Sequence, residues 1–284
     1  MSAPITVHEV DVHTPDGAVT FHLNESGPAG APAILWLHGS GPGATGASNW
    51  EWMIGELGDR FRCLAPDIVG FGDSTHPDPP PQGLTAFTEL RVATLVGLLD
   101  TLGIDRVTLV GNSMGGIISL ALTLQHPERV ERLVLMGAGG APTGLTPELL
   151  QLIMFYENPT TEAMAELMTC FVHDPAFFGG QLDAIAEARM PLASRPDVER
   201  SHRATFAPGE PLLFTPEALA TIRQPVLVVH GRNDRIIPVA AGEYFAEHLP
   251  DARLEIFEET GHWLQLEHPQ RFAALLRDFL EGRP

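Results

Sequence analysis

The chain contains no lysine; all 17 of its basic residues are arginine. Without a lysine amine there is no Schiff base to a carbonyl substrate, no anchor for pyridoxal phosphate and no Walker-type phosphate loop. Basic residues are also few beside 36 acidic ones, which leaves a formal charge of −19. Such a surface repels phosphate backbones and anionic lipid, so neither nucleic acid nor a membrane is an expected partner. Cysteine is confined to Cys63 and Cys170. Two residues so far apart read as reduced, buried thiols rather than a disulfide framework. No apolar run approaches the roughly 20 residues of a membrane span. Residues 1–11 hold no basic segment followed by an apolar stretch, so a cytoplasmic protein is expected. No cofactor and no metal is expected.

Hydrophobic residues make up 44% of the 284, with a mean hydropathy of +0.05, enough for one large packed domain or a domain carrying an insertion. Short, continuously apolar runs occur at residues 33–37, 107–110, 133–136 and 226–229. They are too short for helices and do not alternate, the pattern of strands buried on both faces of a parallel sheet. Residues 6–13 and 18–25, around Pro15-Asp16-Gly17, read as a hairpin leading into that sheet. Leu95, Leu98, Leu99 and Leu102, and again Phe272, Leu275, Leu276, Phe279 and Leu280, carry the spacing of a buried helix stripe. Strands alternating with helices predict an α/β fold with a mostly parallel sheet. The pattern breaks over residues 143–212, where four of eight methionines and five of fourteen phenylalanines fall and no strand run occurs. An ordinary helical subdomain would read the same way. The position between two core strands points to a helical lid over residues 143–212, on a core of residues 1–142 and 213–284.

Gly111-Asn112-Ser113-Met114-Gly115 follows one apolar run and opens a helical one, the context a G-x-S-x-G nucleophile turn requires. Ser113 needs a base, and the base an orienting acid. His262 and Asp234 each lie just past a strand, in the order Ser, Asp, His expected of such a fold, with Glu258 or Glu259 as the alternative acid. For His8, His13, His22, His126, His173 and His230 a structural role is expected. His38-Gly39-Ser40-Gly41-Pro42-Gly43 is glycine-rich but lacks the Lys and Ser/Thr of a phosphate loop. The N–H groups of Ser40 and Met114 are instead the expected oxyanion donors. The segment 67–74 reads as a structural turn.

Together these motifs resemble the meta-cleavage product hydrolases, a carbon–carbon bond hydrolase branch of the α/β-hydrolases. The parts that carry the likeness are the loop at 38–43 with Ser48-Asn49-Trp50, the serine turn extended to Gly116, Gly231-Arg232-Asn233-Asp234-Arg235, and Gly261-His262-Trp263-Leu264-Gln265-Leu266-Glu267-His268. The resemblance implies an anionic 2-hydroxy-6-oxohexa-2,4-dienoate as small-molecule substrate and a homo-oligomer, dimer or higher. It also implies substrate-binding roles for Gly39, Gly41, Asn49, Asn112, Arg189 and Trp263, with Arg189 meeting the carboxylate end. Ser40 stands where the family often has glycine, a change that leaves the backbone N–H in place. An ester, lactone or thioester hydrolase with the same triad, and a small-molecule receptor, are the competing readings.

Overall fold

The computed structural model describes residues 2–14 and 17–282. The chain opens with an antiparallel pair, β1 (Ile5–Thr14) and β2 (Gly17–Ser26), with Ile5 opposite Ser26. Pro15 and Asp16 of the expected turn lie outside the described residues. There follow β3 (Ala33–Leu37), α1 (Gly46–Leu57), β4 (Arg62–Pro66), α2 (Leu84–Thr101), β5 (Val107–Asn112), α3 (Met114–Gln125) and β6 (Val130–Met136). All six residues of β5 are buried, as a strand covered on both faces must be.

Between β6 and the next strand the chain leaves the sheet for α4 (Pro147–Ile153), α5 (Thr161–Thr169), α6 (Leu182–Ala193), α7 (Pro196–Thr205) and α8 (Pro216–Leu219). It returns to the sheet edge where Phe214 N–H donates to Gly140 O at 2.9 Å. The core then closes with β7 (Val226–Gly231), α9 (Ala240–His248), β8 (Ala252–Phe257), α10 (Leu264–Glu267) and α11 (Pro269–Leu280). The sheet order is β1-β2-β4-β3-β5-β6-β7-β8. Only the pairings β1–β2 and β2–β4 are antiparallel. All pairings from β4 to β8 across the sheet are parallel. The order reverses around β3, so loops from several parallel strands converge outside their C-terminal ends, the place where open α/β sheets build sites.

One apolar cluster runs from Leu35, Leu109 and Leu133 of the sheet into Leu152, Met164, Leu167 and Phe171 of the inserted helices. The methionines at 164 and 168 are buried there, filling an irregular space between helices and sheet. Cys63 and Cys170 are both buried and unbridged, and burial pushes the Cys63 thiol up to about 12. No helix among the described residues is long and apolar enough to cross a membrane.

Candidate active site

The turn from β5 to α3 places Ser113 at φ 56°, ψ −115°, a region that L-residues rarely occupy. Holding a non-glycine residue there costs roughly 1–3 kcal/mol and needs a surrounding structure that leaves no alternative. That surrounding is supplied by neighbouring strands: Ser113 N–H donates to Met136 O at 3.0 Å, and Ser113 O accepts from Gly139 N–H at 3.2 Å. The flanking glycines are required by close approach. A Cβ on Gly115 would lie 2.2 Å from Leu37 O, and one on Gly111 would lie 2.3 Å from Gly115 O. Ser113 thus stands at the N-terminus of α3, where the helix dipole favours negative charge.

His262 and Asp234 come from the loops after β8 and β7, which are tied together by Arg232 N–H to Phe257 O at 2.8 Å and Asn233 N–H to Thr260 O at 2.9 Å. His262 Nδ1 meets Asp234 Oδ2 at 2.6 Å, with both side chains buried. The other carboxylate oxygen accepts from Ile236 N–H and Ile237 N–H, each at 2.9 Å. Burial works most strongly against ionising Asp234, but the imidazoles of His262 and His230 outweigh it and hold the carboxyl well below its usual range. The alternative acids are not there: Glu258 is on the surface against Arg232, and Glu259 is exposed.

Ser113, His262, Gly39, Ser40, Gly41, Asn49, Asn112, Arg189 and Trp263 line a single narrow cavity, together with Ala44, Leu152 and Phe171. A wider, open groove between Pro80 and Arg203 carries no serine, cysteine or histidine. Met114 and Asp234 do not line the cavity. Asp234 lies behind His262, and the Met114 side chain turns toward Arg91, its Sδ 3.3 Å from Arg91 Nη1. The Ser40 and Met114 N–H groups have no protein acceptor among the described residues, so both remain available to a ligand.

The loop at 38–43 is set by His38, whose Nε2 accepts from Ile68 N–H at 2.9 Å and whose Nδ1–H therefore donates to Gly39 O at 2.7 Å. Burial, first, and the Arg91 and Arg189 charges push the His38 imidazole down to about 4, so it is neutral in this arrangement. Arg189 is half-buried; its Nε–H donates to Pro42 O at 2.7 Å, and Nη2 lies beside Gly41. Burial pushes its guanidinium down to about 10, leaving it cationic at neutral pH. The neighbouring arginines face elsewhere: Arg195 pairs with Asp73 and Asp197, Arg200 with Asp78, and Arg203 with Glu157 and Glu199.

Some details differ from the sequence reading. Asn49 Nδ2 donates to Asn112 Oδ1 at 3.1 Å and Asn112 Nδ2 to Met136 O at 3.2 Å, so the two amides hold one another before any ligand does. Trp263 is stacked on Phe171 with centroids 4.6 Å apart and planes at 12°, which covers one of its faces. His230, expected to be structural, bonds Ile237 O at 2.9 Å but also brings Nε2 to 3.4 Å from Asp234 Oδ2. Phe171 and Glu267 carry no motif of their own. Glu267 accepts from Gly261 N–H and His173 N–H, each at 2.8 Å, and Trp263 N–H donates to Phe171 O at 2.9 Å. The segment 171–173, in the turn after α5, is thereby stitched to the loop bearing His262.

Residues 32–269 match the family model described as the alpha/beta hydrolase fold. The chain is 38% identical to a 2-hydroxymuconate semialdehyde hydrolase of a Pseudomonas strain, over 99% of this chain and 97% of that one. It is also 38% identical to a 2-hydroxy-6-oxo-2,4-heptadienoate hydrolase of Pseudomonas putida, over 93% and 94% of the two chains. Among solved structures, the 2-hydroxy-6-oxo-6-phenylhexa-2,4-dienoate hydrolase of a Rhodococcus strain superposes with a TM-score of 0.89 at 36% identity, covering 97% of this chain and 100% of the other.

Proposed function

This chain belongs to the α/β-hydrolase family, in its carbon–carbon bond hydrolase branch, and from that membership we propose that its substrate is a 2-hydroxy-6-oxohexa-2,4-dienoate. The observation that carries the reading is one cavity lined by Ser113, His262 and Arg189, the last without a carboxylate partner among the described residues. An arginine in that state offers a bidentate site to the dienoate carboxylate or its neighbouring 2-oxo group.

In this scheme the dienol first becomes a ketone, so the carbon chain that departs from C6 leaves as a stabilised enolate. His262 takes the Ser113 proton as Oγ attacks C6, and Asp234 steadies the imidazolium through Nδ1–H. The Ser40 and Met114 N–H groups receive the negative charge that forms on the C6 oxygen. The bond from C5 to C6 breaks, its electrons pass along the conjugated chain to the 2-oxygen, that oxygen takes the proton from His262, and 2-hydroxypenta-2,4-dienoate departs. Water, deprotonated by His262, then releases the acyl group as a carboxylic acid. Leu152 and Phe171 supply an apolar wall for the C6 substituent. The residues 143–212 serve as the lid of this cavity, and the reduced thiols fit a cytoplasmic enzyme.

The test is loss of the dienolate absorbance on mixing with ring-fission products bearing methyl or phenyl at C6. The expected kcat/KM exceeds that for p-nitrophenyl acetate by at least about 100-fold, since only the dienoate engages Arg189 as well as the oxyanion donors. The reverse ranking would make the protein an esterase.

A further inference from the structure

Arg91 on α2 is wholly buried, yet every group it touches is neutral. Its Nε–H donates to Val69 O at 3.1 Å and its Nη2 to Thr205 Oγ1 at 2.9 Å, while Nη1 lies 3.3 Å from Met114 Sδ. The Phe71 and Phe87 ring centroids lie 5.2 and 4.2 Å from its guanidinium carbon. No carboxylate pairs with it among the described residues, although acidic groups outnumber basic ones 36 to 17 in the chain. A buried cation is costly to keep unless something compensates it, and removing water strengthens its field over a longer range. Burial pushes the guanidinium down to about 9, which leaves it charged at neutral pH.

The field has a direction that matters. Met114 is the residue after Ser113, and its side chain is what the Arg91 guanidinium meets. Arg189 stands in the cavity wall, also without a carboxylate. Both cations are felt at His38, behind the loop that carries Ser40. One uncompensated positive charge thus stands in the cavity wall, and a second lies behind the nucleophile turn, against the Met114 side chain.

We propose that Arg91 is a positioning residue whose uncompensated charge gives the Ser113 cavity its positive potential, so that a substrate with an anionic leaving portion is preferred over a neutral one. The proposal rests on the dienoate reading above. The competing role is a clamp, since Arg91 also joins the turn after β4, the start of α3 and the end of α7.

A matched ester pair separates the two roles: 4-acetoxybenzoate, with a carboxylate on the leaving phenol, and its neutral methyl ester. The ratio of their kcat/KM values should fall about tenfold in both Arg91→Met and Arg91→Gln, as loss of a weakly screened charge requires. Arg91→Lys, assayed at a pH low enough to keep a buried amine protonated, keeps the charge without the fork and should hold the ratio within about twofold of the unaltered enzyme. Thr205→Val, which removes a clamp contact and leaves the cation, should also hold it. Equal losses on both esters, or failure of both neutral variants to fold, would make Arg91 a clamp and overturn the proposal. The dienoate reading fails separately, if the unaltered enzyme leaves dienoates intact, whatever the ester ratio does.

Discussion

Asp234 offers its two carboxylate oxygens to different tasks: Oδ1 closes the turn at Ile236 and Ile237, and Oδ2 holds His262. Replacing it with asparagine keeps the shape but can present an N–H where an acceptor is needed, favouring the wrong imidazole tautomer. Asp234→Asn should lower kcat by about 10³–10⁴-fold with a much smaller change in KM, measured by single-turnover decay of the dienolate. Arg189→Gln should do the opposite, raising KM by about tenfold or more while kcat changes less, because it removes a bidentate anchor rather than the reacting groups. At this scale the sequence was informative wherever a residue sits in the loop just beyond a strand's C-terminal end. Ser113, Asp234 and His262 all do, and the structure brings Asp234 to His262 and both Ser113 and His262 to one neighbourhood. His230, Phe171 and Arg91 were not legible in the same way. Each reaches its position through packing between distant segments, and nothing in its local spacing marks it.

The nucleophile turn works as an element because neighbouring strands leave no space for side chains beside it. Gly115→Ala puts a methyl about where Leu37 O already stands, so the sheet or the turn must shift. We expect a stability loss of at least about 2–3 kcal/mol in urea unfolding, together with loss of activity. The link between the loop after β8 and the inserted helices is a second element with its own test. Glu267→Gln leaves one side-chain oxygen for two N–H donors, at Gly261 and His173, and should cut kcat/KM about tenfold or more while the far-ultraviolet spectrum stays unchanged. An unaltered kcat/KM would show that the stitching has no bearing on His262. β3, β5, β6 and β7 were readable from continuous apolar runs, and the hairpin from the Pro15-Asp16-Gly17 turn between its two segments. The inserted helices were readable only as a region without strands, because their order depends on which methionine and phenylalanine faces meet the sheet.

At the scale of the whole molecule, two buried histidines tie stability to pH. Burial, above all, pushes both His38 and His202 down to about 4. In the unfolded chain each would take a proton near its ordinary value of about 6.5, so between there and about 4 the unfolded state binds more protons than the folded one. The contribution of these two groups to stability is therefore complete above about pH 6.5 and falls as the pH drops toward 4, by an amount on the order of 2–3 kcal/mol for each group. Asp234, held below its usual range, works at stronger acid and retains its contribution through that window. Urea unfolding at a series of pH values should show this slope, and His202→Gln should reduce it by about half; a flat profile from pH 7 to 5 would contradict it.

The same scale holds the strongest constraint on function, a protein of charge −19 whose cavity carries an unpaired arginine, Arg189, in its wall. The direct measurement is product identification after incubation with 2-hydroxy-6-oxohepta-2,4-dienoate. We expect acetate and 2-hydroxypenta-2,4-dienoate in equal amounts, and neither from Ser113→Ala. An intact dienoate alongside rapid aryl-ester hydrolysis, or undiminished cleavage by Ser113→Ala, would contradict it.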